Sequence, residues 1–89
     1  MMNLTDTLDR IALDASHHLR ITHCVEQGAT MRAQSLLELR MTDIINDRLI
    51  EDDDKGELNP LIDSLRHLNG PMLHRELRFA ASRRISRML

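Results

Sequence analysis

His17, His18, His23 and Cys24 are the side chains whose types could hold a zinc-like ion, since neutral imidazole and thiolate are the ligands such an ion takes. Their spacing argues against it. On a helix, His18 and His23 stand five residues and about 140° apart, and His17 and His23 six residues and about 240° apart. Neither pair has the four-residue step that turns two imidazoles onto one ion. His67 and His74 are seven apart across a Gly-Pro break. Cys24 as a nucleophile needs a neighbouring base and an electropositive niche. His23, next in sequence, points about 100° away on a helix. The expectation is therefore a structural thiol, no metal and no cofactor.

The acidic run Glu51-Asp52-Asp53-Asp54-Lys55-Gly56-Glu57 invites a calcium loop. With Gly56 at the sixth position of such a loop, the fifth holds Lys55 and the twelfth Ile62, where the chemistry needs oxygen donors. A solvated acidic hinge over 51–57 is the better reading. The three glycines form no phosphate-cradling loop, and Ser16, Ser35, Ser64, Ser82 and Ser86 lie in helical context without a strand-turn-helix elbow. No enzyme is expected.

Arginine is the remaining chemical resource. The chain has twelve basic residues, of which only Lys55 is a lysine, and the stretch from Pro71 carries Arg75, Arg78, Arg83, Arg84 and Arg87 against the single acid Glu76. Guanidinium forks suit carboxylate or phosphate partners. A helix-turn-helix around Gly70 fits poorly, because Arg66 and Glu76 occupy positions that want a small and an apolar residue, and Pro71 follows the glycine. The fourth helix also lacks the Asn and Gln commonly used to read bases.

The elements that must position these groups are helices. Leu8, Ile11, Ala12, Ala15, Leu19, Thr22 and Val25 recur at three- and four-residue steps and predict a helix over 5–27, stopped by Gly28. The stretch 20–25 also alternates like a strand, but no second strand is available to pair with it. Ala33, Leu36, Leu37, Met41, Ile44, Ile45 and Leu49 predict a second helix over 29–51. Asn59-Pro60 is a cap-and-first-turn pair for a third over 60–68, and Asn69-Gly70-Pro71 introduces a fourth over 71–88. Leu73, Leu77, Ala80, Ala81, Ile85 and Met88 line its inner face, with Phe79 on the flank.

Such a pattern predicts one all-α domain over 1–89: a small bundle of three to four helices with short connections, antiparallel and open to completion by dimerisation. Eighty-nine residues with one aromatic and 42% hydrophobic content make a small aliphatic core, for which oligomerisation is a common remedy. Apolar runs are far too short for a membrane span. No basic and apolar leader opens the chain, and the one cysteine has no partner, so a cytoplasmic setting is expected.

By exclusion, the sequence predicts a small non-enzymatic protein–protein interaction module, an adaptor, inhibitor or chaperone-like regulator, that works through a helical surface on a protein partner or on itself. Leu13, Ile21, Leu39 and Ile50 lie outside the main stripes, and six methionines suit adaptable surfaces. The partner-binding candidates are Leu39, Met41, Ile45 and Leu49 on the second helix and Arg78, Arg83, Arg84 and Arg87 on the fourth. Arg84→Glu is expected to leave the fold intact. The alternative is a nucleic-acid-associated regulator that uses the Arg-rich C-terminal helix. In size, helical pattern and scarcity of aromatics the chain is similar to small bacterial or phage regulators and secretion chaperones, in composition only and without a shared motif.

Overall fold

The apolar stripes become helices that bury them. The computed structural model describes residues 4–47 and 63–89. Within them run α1 (Leu4–Leu19), α2 (Ile21–Glu26), α3 (Thr30–Asp47) and α4 (Gly70–Met88), and residues 63–66 are also helical. No strand occurs among the described residues. The acidic hinge 51–57, the Asn59-Pro60 start of the third helix and the end of the second lie outside the described residues.

The three long helices α1, α3 and α4 each pack against the other two, and α2 packs on α3 and α4. Their shared core takes Leu8, Ile11, Ala12 and Ala15 from α1, and Ala33, Leu37, Met41, Ile44 and Ile45 from α3. From α4 come Leu77, Ala80, Ala81 and Ile85, while Leu65 and Val25 close the ends. Alanines at 12, 15, 33, 80 and 81 let helix axes approach closely, so a core without an aromatic still packs. The radius of gyration is 12.4 Å, against about 12 Å for a compact chain of this length. Buried Ser16 is satisfied internally, its hydroxyl donating to the Leu13 carbonyl at 2.8 Å. Arg66 reaches from the 63–66 segment to α3, its Nε donating to the Ile45 carbonyl at 3.1 Å.

The single helix expected over 5–27 is in fact two. Arg20 takes φ 52° and ψ 46°, the left-handed region, and divides α1 from α2. The break turns the chain so that α2 folds back on α3 and α4 and Val25 reaches the core at 7% exposure. An uninterrupted helix would carry residues 21–26 about 9 Å further along the axis of α1. Gly28 ends α2 with φ 77°. There the Ala29 N–H donates to the Cys24 carbonyl at 3.0 Å and the Gly28 N–H to the Val25 carbonyl at 2.9 Å. That pair of bonds is a Schellman cap, which satisfies carbonyls the helix leaves open.

Two left-handed residues thus stand eight positions apart, one a glycine and one an arginine, and they should respond oppositely to substitution. Gly28→Ala is expected to lower stability by about 1 kcal/mol. The added Cβ would meet nothing within 4 Å, so the cost is that of the backbone. Arg20→Gly is expected to raise stability by up to about 1 kcal/mol. Urea midpoints at unchanged slope measure both, and shifts in the same direction would contradict the assignment.

Candidate functional site

The C-terminal helix carries most of the polar chemistry. Asn69 starts it from an extended conformation, its side chain accepting from the Met72 N–H at 3.0 Å. Pro71 sits in the first turn, where its missing N–H costs nothing. Leu77, Ala80, Ala81 and Ile85 then fix which face of α4 is buried.

Two carboxylates hold the flanks of α4. Asp9 of α1, 17% exposed, accepts from Arg83 Nε at 3.0 Å on one oxygen and from Arg87 Nη2 at 3.1 Å on the other. Glu38 of α3, 13% exposed, meets His74 on one oxygen and Arg78 Nε at 3.5 Å on the other. Each acid spans two basic residues four apart, one turn of α4. Four residues before Glu38, Gln34 donates to the Ser82 hydroxyl at 2.8 Å, so contacts descend α4 as they ascend α3.

Opposite the core, Met72, Arg75, Phe79, Ser82 and Ser86 form a second stripe, all exposed. Phe79 is 50% exposed and Met72 52%. The Arg75 guanidinium carbon lies 5.6 Å from the Phe79 ring centroid, a cation–π contact. Pro71, His74, Arg75, Arg78 and Phe79 line an open groove of about 490 Å³.

Of the apolar candidates, Leu39 is exposed on the back of α3, while Met41 and Ile45 are sealed in the core. The correction for those two is physical. The wide α3 stripe serves the chain's own α1 and α4, so neither side chain reaches solvent in the folded chain. Leu49 and Ile50 lie outside the described residues. Of the arginines, Arg78 is exposed and borders the groove, and Arg83 and Arg87 are engaged by Asp9. Arg84 is half-buried, and its Nε is shut off from water without a partner. Arg84→Glu would place a carboxylate in partly dry surroundings and is now expected to cost stability, where the sequence alone led to the expectation of an intact fold.

Sequence reasoning named Arg75 among the arginines that suit carboxylate or phosphate, but left Pro71, Met72, His74 and Arg75 out of the partner-binding candidates and placed Phe79 only on the flank. The available signal was the three- and four-residue spacing of 72, 75, 79, 82 and 86, which runs opposite the Leu77–Ala81–Ile85 row. Among the described residues no group of three or more His, Cys, Asp or Glu could hold a metal ion, and no helix is long and apolar enough to cross a membrane. No family model, curated protein or solved structure matches the chain.

The two arginines on Asp9 differ in exposure, 33% for Arg83 and 55% for Arg87, and so in expected worth. Asp9→Ala should cost about 1–2 kcal/mol, seen as a lower thermal midpoint. In double-mutant cycles, the coupling of Asp9 to Arg83 should exceed that to Arg87. Equal couplings would mean that burial does not set the strength of the clamp. Ile45→Asp should cost several kcal/mol or prevent folding altogether, as read by far-UV circular dichroism.

Proposed function

We propose that this chain is a small non-enzymatic protein–protein interaction module that presents the outward face of α4 to another polypeptide. The observation that carries the reading is the location of Phe79. A chain with one aromatic gains most by burying it, yet this one is half exposed at the centre of a polar stripe. Scattered exposed apolar residues need no explanation. Phe79, however, stands in a group with Pro71, Met72 and two arginines, and Phe, Met and Arg are enriched at protein interfaces. A stripe at three- and four-residue steps is the form in which one helix offers itself to a groove or to another helix.

In this reading the bundle is antiparallel, the setting is the cytoplasm, and the partner is a foreign chain or a second copy. The nucleic-acid alternative is weakened by the use of Arg83 and Arg87 on Asp9, which takes two of the five α4 arginines away from phosphates.

A photo-crosslinking phenylalanine analogue at position 79, with one at exposed Ser35 on α3 as control, tests the reading. One discrete polypeptide adduct, identified by mass spectrometry, is expected at 79 and not at 35. No polypeptide adduct at 79, or the same adducts at both positions, would overturn it. The purified chain has no Trp or Tyr, so a salt-removable absorbance at 260 nm would reveal bound nucleic acid and favour the alternative.

A further inference from the structure

The chemistry lining the α4 groove narrows the partner, given the interaction reading above on which this step rests. Its apolar part is Pro71 and the open face of Phe79, with Met72 adjacent in sequence. Its polar part is cationic. Among the described residues Arg75 meets no carboxylate, and its contact is the Phe79 ring. Arg78 turns its Nε to Glu38 but keeps 64% of its side chain exposed. Arg75 and Arg78 stand three residues apart on one side of the helix, about one turn. We infer that the groove docks an acidic segment of another protein, with an apolar side chain set against Phe79 and Pro71 and carboxylates set on Arg75 and Arg78.

Charge decides against the other occupants. A second copy docked face to face would bring the Arg75 and Arg78 of both copies into one interface, because a two-fold contact pairs a surface with itself. Like charges so placed oppose binding. A nucleic acid would draw its affinity from many phosphate contacts. Here Asp9 occupies Arg83 and Arg87, and Glu38 stands at the edge of the groove.

The test is selection of short random displayed peptides on the intact chain, followed by affinity measurement with labelled synthetic copies. The expected winners carry Asp or Glu beside Leu or an aromatic. Their binding should fall by roughly tenfold or more with Arg75→Glu and with Phe79→Ser. Both positions are exposed, so thermal midpoints should stay near the parent value and separate lost binding from lost folding. Selection on the Arg75→Glu chain should return peptides with Lys or Arg instead.

Peptides that need Phe79 but show no acidic excess would overturn the charge assignment and leave the interaction reading standing. Recovery of no peptide, or of peptides indifferent to both substitutions, would defeat both. A concentration-dependent increase in mass abolished by Phe79→Ser would give the face to a second copy. Salt-sensitive binding of an oligothymidylate probe, lost with Arg75→Glu and without acidic peptides, would give it to nucleic acid. Either result overturns the proposal.

Discussion

Asp9 and Glu38 are the hinge points of the architecture, because they let an arginine-rich helix serve as one wall of an aliphatic core. The inner row of α4 is narrow, Leu77, Ala81 and Ile85 with Ala80 beside them, and basic residues border it on both sides. Against apolar surroundings those cations would oppose burial of the row. One carboxylate from α1 and one from α3 meet them instead, each nearly shielded from water and each dividing its two oxygens between neighbouring turns. Of the four contacts, that to Arg83 is the best shielded, since His74, Arg78 and Arg87 keep more than half of their side chains exposed. The core row sets which face of α4 turns inward, and these contacts hold its flanks to α1 and α3.

This pairing also changes the meaning of the charge segregation in the sequence. Five arginines against one acid from Pro71 onward read as a cationic surface looking for an anion. In three dimensions much of that charge is met inside the fold, by acids separated in sequence from their partners by dozens of residues. What remains is Arg75 over the Phe79 ring, the exposed part of Arg78 and the half-buried Arg84.

Local patterns in the sequence carried the helices and their inward faces, since three- and four-residue spacing is a property of neighbours. The rows Leu8–Ala15, Ala33–Ile45 and Leu77–Ile85 are the residues that meet in the core. Gly28 was legible as a stop for the same reason. The left-handed Arg20 was not, because nothing local separates an arginine that continues a helix from one that bends it; the demand comes from packing Val25 and α2 against α3 and α4. Met41 and Ile45 passed for surface candidates because a stripe shows periodicity and not how many neighbours will cover it. The pairing of Asp9 and Glu38 with α4 was not legible, since a carboxylate's partner across the bundle leaves no trace in its own vicinity. Phe79 was visible as the lone aromatic, but its outward setting follows only once Leu77, Ala80 and Ala81 are known to face in.

The four-residue step shared by the two clamps has a consequence for how uniquely α4 is seated. Sliding α4 one turn along its axis, about 5.4 Å, would bring Arg87 to the place of Arg83 and Arg78 to that of His74, so each acid would keep one of its two basic partners and charge alone tolerates the slip in part. The core does not. Its inner row alternates large, small, large as Leu77, Ala81 and Ile85. The same slide would leave an alanine in a leucine's space and drive an isoleucine into an alanine's. A void and a collision in a close-packed interior together cost several kcal/mol. Register therefore rests chiefly on side-chain volume, while electrostatics supplies adhesion of which half would survive the slip.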